Sequence, residues 1–310
     1  MFKGFQIATK DVDLGSIKNF LRETAALGCN AIRYQIVAPD PRYMGPLVKQ
    51  INYNYWSFGE YENWWWSQIK NIRDCCDVIL NENLNIQIIV DCHSPYGGTT
   101  LEDGKTKHLI ALSAENDRGD RYRRGWESFW LEAIKTLHFY PCIAGYDLCN
   151  EPAAETEDWL YAATRLAKKI RQLERNENAE CKWIFVSTPS GRIEKFREMK
   201  KIPVKKISYQ AHVYHSGPIN ERKMKRKLVP AFRFARRENV PLYFGEIGSD
   251  RKNGDKYVTD FFQTILPILH ENKNCNHRGG GYTIHAWKES NRFDYEGTQA
   301  MEVIKAWVKA

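Results

Sequence analysis

Eight short apolar runs alternate with stretches of helical periodicity along this 310-residue chain, and the alternation constrains the fold more than any other feature. The runs are 2–8, 30–37, 85–92, 143–149, 183–187, 206–214, 241–246 and 281–287. After the first, Asp13 or Ser16 can cap a helix in which Ile17, Phe20, Leu21, Ala25 and Leu27 recur at helical spacing, and Gly28 closes it. Further helices are predicted over 64–83, 122–139, 157–175, 192–200, 223–239, 257–271 and 302–308, with Pro267 a candidate kink. Trp126, Phe129, Trp130 and Ile134 mark the inner face of one, and Trp159, Leu160, Ala163, Leu166, Ile170 and Leu173 that of the next. Strict alternation of this kind implies a parallel sheet covered by helices. Eight units, with no glycine-rich dinucleotide fingerprint after the first strand, imply closure into a (β/α)8 barrel rather than an open sheet. There is no internal repeat or linker, so residues 1–310 read as a single domain.

The remaining features exclude other classes. No apolar run approaches the roughly 20 residues that span a bilayer. Residues 1–7 lack a signal-peptide core and cleavage site, so the chain is expected to be cytoplasmic or, if a leader has been removed, secreted. The net charge is +8, and much of the excess lies in 192–237. That stretch lacks the interleaved aromatics of a single-strand nucleic-acid groove and reads as a solvated helix face, so no nucleic-acid partner is expected. The eight cysteines show no CxxC spacing. Cys92 and Cys149 sit in apolar strands as small hydrophobes, and mostly free thiols are expected. Two long connections stand out. Residues 38–63 are rich in Pro, Tyr and Asn and carry Tyr43, Tyr53, Tyr55, Trp56, Phe58 and Tyr61. Residues 99–118 read as polar loop.

The chemistry sits at strand ends. The fourth strand stops at Asn150-Glu151-Pro152, because proline has no N–H and restricts the residue before it. The seventh ends in Phe244-Gly245-Glu246-Ile247-Gly248. Barrel active sites are built where strands end, and two carboxylates facing each other there suit an acid and a nucleophile or base at a glycosidic bond. Arg33, His93, Asn150, His212, Tyr214 and Trp287 also fall at or near strand ends. Any one of them reads equally well as a satisfied structural group; eight polar or aromatic residues on one rim do not. A metal-dependent barrel hydrolase, with His93, His212, His215, His285 and Asp91 as ligands, would leave both glutamates without a role. A binding protein on a dead barrel is disfavoured because both glutamates are present.

Motifs across nearly the whole chain resemble glycoside hydrolase family five: Asn-Ala-Ile-Arg at 30–33, Asp-Cys-His-Ser-Pro at 91–95, Asn-Glu-Pro at 150–152, His-Val-Tyr at 212–214, Phe-Gly-Glu-Ile-Gly at 244–248, and Trp287. The resemblance implies a retaining β-glycosidase with Glu246 as nucleophile and Glu151 as acid and then base. It implies that Arg33 and Tyr214 aim Glu246, that Asn150 binds the sugar 2-hydroxyl, that His93 and His212 bracket the sugar or tune the carboxylates, and that Trp287 is a stacking floor. No cofactor or metal is implied. The expected substrate is a β-linked polysaccharide or oligosaccharide, β-1,4-glucan first, with mannan and other β-glucans behind it. The aromatic insertion then has two readings, platforms for sugar faces or a mini-core over the barrel end. A monomer is expected.

Overall fold

A computed structural model describes residues 1–8, 13–37, 58–102, 105–112, 117–286 and 293–309. Its strands are β1 (Phe2–Ala8), β2 (Ala31–Ile36), β3 (Gln87–Cys92), β4 (Thr99–Glu102), β5 (Lys105–His108), β6 (Ile143–Asp147), β7 (Trp183–Ser187), β8 (Ile207–Tyr214), β9 (Leu242–Gly248) and β10 (Gly281–Ile284). Eight of them close a parallel barrel in the order β1-β2-β3-β6-β7-β8-β9-β10. The helices α1 (Leu14–Ala26), α2 (Phe58–Asn81), α3 (Asp117–Leu137), α4 (Thr156–Asn176), α5 (Glu221–Glu238), α6 (Asp255–Glu271) and α7 (Gln299–Lys309) surround it. The expected (β/α)8 barrel is therefore present, with one short cut: β7 leads to β8 through the 3-10 helix Ile193–Arg197.

Local rules set most boundaries. Asp13 caps α1 by accepting from the Ser16 amide at 3.0 Å. Asn239, at φ +50, closes α5 in the left-handed conformation, and its N–H bonds the Ala235 carbonyl. The basic α5 buries Met224, Leu228, Ala231, Phe234 and Ala235, leaving most of its cations on the solvent side. One expectation is corrected. The stretch read as polar loop carries an antiparallel hairpin, β4 with β5, joined in the register Thr99 to His108.

The strands separate two cores by their period of two. Outward residues such as Ile32, Tyr34, Ile88 and Val90 join the large core beneath the helices. At the amino end of the barrel, Phe2, Ala31, Ile89, Ala144, Phe185 and Tyr243 form a small apolar plug. Above it the interior turns polar, with Gln6, Arg33, Gln35, Asp91, Asp147, Gln210 and Thr283 almost wholly buried. Tryptophans tie helices to strand ends. The Trp126 and Trp130 indoles both donate to the Leu148 carbonyl, at 3.2 and 3.1 Å, and Trp159 donates to the Ser187 carbonyl at 2.7 Å.

Among the described aromatics of the insertion and the helix after it, Tyr61 and Trp65 are buried and pack against Phe129 and Trp130. The mini-core reading holds for these two. Tyr43, Tyr53, Tyr55 and Trp56 lie outside the described residues. All eight cysteines are free and seven are buried. No helix among the described residues is long and apolar enough to cross a membrane.

Candidate active site

The site is built from the polar layer upward. Arg33, fully buried on β2, is its hub. Its Nε and Nη2 donate to Asp147 Oδ2 at 2.9 and 2.7 Å, Nη2 also to Asn150 Oδ1 at 2.9 Å, and Nη1 to Glu246 Oε1 at 3.0 Å. Asp91 Oδ1 lies 3.1 Å from Nη2. Three carboxylates thus surround one guanidinium, whose planar fork suits such a cluster. Burial opposes the charge on Arg33, yet Asp91, Asp147 and Glu246 outweigh it and raise its pKa. Burial pushes Asp147 up to about 6; Arg33 pulls against this, and the charge of Asp91 adds to it.

A bulge in β9 aims Glu246. On β8, Ala211 pairs with Phe244 and His212 with Glu246, so Gly245 is the extra residue. Tyr243 belongs to the interior plug, so unbroken alternation would turn Glu246 toward the helices. The extra residue resets the phase and brings Glu246 inside. Glycine at 245 lets Gln210 approach, because a Cβ there would lie 2.2 Å from Gln210 Oε1 and force that side chain or the strand to move.

Glu246 then has four close partners. Oε1 accepts from Arg33 and from Gln35 Nε2, the latter at 3.1 Å, and Oε2 accepts from the Tyr214 hydroxyl. His212 Nδ1 lies 3.5 Å from Oε2. Burial alone would raise the pKa of Glu246; His212, Arg33, His285 and His93 together hold it well below the carboxylate range. Of these, Arg33 is a cation at every relevant pH, whereas burial lowers His285 to about 4 and leaves that ring neutral near pH 7. Burial, then the charge of Glu246, raises the Tyr214 phenol far above its ordinary value, so it stays protonated and donates.

Glu151 faces Glu246 from the loop after β6. Its φ is +38, a left-handed conformation uncommon for a residue with a side chain. Its carboxylate shares a hydrogen bond of 2.6 Å with His212 Nδ1. Gly191 makes room for it, since a Cβ at 191 would lie 2.7 Å from Glu151 Oε1. The side chain of Glu151 is 42% exposed and that of Glu246 8%. One oxygen of each carboxylate and a ring nitrogen of His212 all lie within 4.8 Å of one another.

Arg33 also fixes the Asn150 amide. With Oδ1 accepting from the guanidinium, Nδ2 donates to His93 Nε2 at 3.2 Å, and the ring proton of His93 then sits on Nδ1, 2.9 Å from Asp91 Oδ2.

Seven of the eight residues singled out in the sequence therefore meet at one place: Arg33, His93, Asn150, Glu151, His212, Tyr214 and Glu246. Trp287 lies outside the described residues. The metal reading finds no ligand set in His93, His212, His215, His285 and Asp91. Among the described residues, the group close enough to hold a cation is Glu151, His212 and Glu246. Sequence reasoning missed Gln35, Asp147 and Gln210, whose signal is a polar side chain inside an apolar strand. It also gave His285 no part in the carbohydrate site. That ring stands 5.6 Å from Tyr214, and its buried Nδ1 has no hydrogen-bond partner among the described residues.

No curated protein matches the chain in sequence. Solved structures share its fold at low identity. The endoglucanase Cel5A of Pseudomonas stutzeri aligns with a TM-score of 0.67 at 16% identity, covering 99% of this chain and 93% of its own. A broad-specificity endoglucanase from Clostridium longisporum gives 0.66 at 11%, covering 100% and 95%. An endo-β-1,4-glucanase of Xanthomonas axonopodis pv. citri gives 0.64 at 13%, covering 99% and 96%. The sequence model of the family described as Cellulase (glycosyl hydrolase family 5) matches residues 2–291. With that match over nearly its whole length, the chain belongs to glycosyl hydrolase family 5 and is an enzyme that hydrolyses O-glycosidic bonds.

Proposed function

We propose that this enzyme is a retaining endo-β-1,4-glucanase that works by double displacement, with Glu246 as nucleophile and Glu151 as acid and then base. The observation that carries the reading is that one oxygen of Glu151 and one of Glu246 lie within 4.8 Å of each other and of a ring nitrogen of His212, which is close for a pair with a water between them. Retaining glycosidases keep their carboxyl groups about 5–5.5 Å apart, whereas inverting ones leave about 6.5–9.5 Å for a water. Their surroundings divide the roles. A nucleophile must be ionised, and Arg33, Gln35 and Tyr214 hold Glu246 so. An acid–base group must give up and regain a proton, and Glu151 sits half-exposed against one imidazole.

In the first step the Glu246 carboxylate attacks the anomeric carbon, the bond from that carbon to the glycosidic oxygen breaks, and the Glu151 proton passes to the departing oxygen. In the second, Glu151 takes a proton from water, and the water oxygen displaces Glu246. Asn150 binds the 2-hydroxyl, a contact that strengthens in the oxocarbenium-like transition state. His93 orients Asn150, His212 holds Glu151, and Trp287 is the stacking floor. The glucan substrate is supported by the family and by the endoglucanases that share the fold.

The test is reducing-sugar release from β-1,4-glucan, mixed-linkage glucan, mannan and xylan, beside Glu246→Gln. Hydrolysis of β-1,4-glucan with a rapid fall in viscosity is expected, and a loss of about 10⁴-fold or more in the variant. Activity confined to mannan or xylan would overturn the substrate, and an active Glu246→Gln the nucleophile. Glu151→Ala should lower kcat/KM about 10²–10⁴-fold on polymer but little on dinitrophenyl β-cellobioside, whose leaving group needs no acid.

A further inference from the structure

The loop that carries Glu151 is clamped from outside the barrel. The Asn150 amide donates to the Cys92 carbonyl at 3.0 Å, and Ser190 N–H donates to the Pro152 carbonyl at 3.0 Å. Among the described residues, His108 holds both backbone polar groups of Ala153. The His108 amide donates to the Ala153 carbonyl at 2.7 Å, and the Ala153 amide donates to His108 Nδ1 at 3.0 Å. His108 is the last residue of β5, and the hairpin itself leaves the end of β3, where the Leu109 amide bonds the Gly98 carbonyl at 3.1 Å. The hairpin therefore links the end of the third barrel strand to a point two residues beyond Glu151.

The chemistry of the contact is specific. A backbone amide can only donate, so Nδ1 must keep its lone pair and the ring proton must sit on Nε2. Burial lowers the His108 pKa to about 4, so the ring stays neutral near pH 7. A left-handed glutamate persists only where its surroundings over-determine it. Cys149, just before the loop, has its Sγ 3.9 Å from the same ring nitrogen, so the imidazole packs along the loop rather than touching it at one atom.

We propose that His108 is a positioning residue for Glu151: its ring and amide, delivered by the β4–β5 hairpin, fix the loop so that the carboxyl reaches the glycosidic oxygen. The inference rests on Glu151 being the acid, so Glu151→Ala is measured alongside. His108→Ala should lower kcat/KM about ten- to a hundredfold on a cello-oligosaccharide, the scale of a misplacement near 1 Å, and less than about threefold on dinitrophenyl β-cellobioside, because a misplaced acid matters only where an acid is needed.

His108→Asn places an amide oxygen near the position of Nδ1 and should restore most of the loss, whereas His108→Gln should not. That pair also decides the matter if the alanine variant does not fold. Equal losses on both substrates, or asparagine and glutamine variants that behave alike, would overturn the proposal. A Glu151→Ala enzyme with no difference between the substrates would overturn the acid assignment itself. A clear difference there, with none in His108→Ala, would overturn the clamp alone.

Discussion

The two sides of the site hold the same functional group in opposite ways. Glu246 grows from a strand, is buried, and takes hydrogen bonds from a guanidinium, an amide and a phenol. Glu151 grows from a loop, is half-exposed, and meets one imidazole. The difference separates fixed charge from exchangeable charge. Surrounding a carboxylate with donors that do not titrate near neutral pH keeps it ionised and ready to attack. In the proposed mechanism Glu151 passes a proton to substrate and recovers one from water, and its half-exposed position gives it that access to solvent.

Four substitutions probe that contrast, from the largest effect down. Arg33→Met removes the fixed cation and leaves Asp91, Asp147 and Glu246 buried together. We expect on the order of 3–5 kcal/mol of lost stability, read from denaturant midpoints, and activity too low to measure. Near-normal activity would show that Glu246 does not need the guanidinium. Gly245→Ala attacks the bulge. The new methyl must displace Gln210 or the β9 backbone, and a loss of roughly 100-fold is expected from a shift of about 1 Å in Glu246, with a modest drop in thermal midpoint.

Tyr214→Phe removes one donor of the three. About tenfold in kcat/KM is expected for a hydrogen bond to a charged group. The pH profile is the sharper reading. As the proposed nucleophile Glu246 must be ionised to attack, and its value lies below the ordinary 4.5. Losing a donor raises it, so the acid limb should move to higher pH; an unmoved limb would assign that limb to another group. The same sign governs stability: Glu246 contributes above its unfolded value and loses the contribution as pH falls through the folded one. Gly191→Ala presses on Glu151 instead. Its carboxyl is the flexible end of a half-exposed side chain, but φ at 191 is +64 and the new Cβ would also lie 3.0 Å from His212 Nδ1, so roughly tenfold is expected on cello-oligosaccharide and a smaller loss on the activated glycoside, with some backbone strain.

The barrel was legible because the alternation of strand and helix is a local signal repeated eight times. Six of the seven candidate-site residues were legible because they fall at or near strand ends, and Arg33 because it is a lone charge among apolar neighbours. The hairpin was missed although Asp103-Gly104 is a hairpin dipeptide: its flanks, Thr99 to Glu102 and Lys105 to His108, are too polar to show an apolar alternation. Asp147 sat in plain view inside the fourth strand, but its purpose depends on Arg33, 114 residues away. Gln35 and Gln210 are of the same kind, each intelligible only through a partner on another strand. The bulge at Gly245 is a matter of register between neighbours, and the β9 sequence alone carries no count of its partner's residues.

The chain order of the residues around Arg33 has a consequence for biosynthesis. Arg33, Asp91 and Asp147 all belong to the amino-terminal half, and Glu246 comes from the seventh barrel strand. Two of the three carboxylates that neutralise the guanidinium are therefore synthesised before the later strands, and Glu246 is the last of the four to be made.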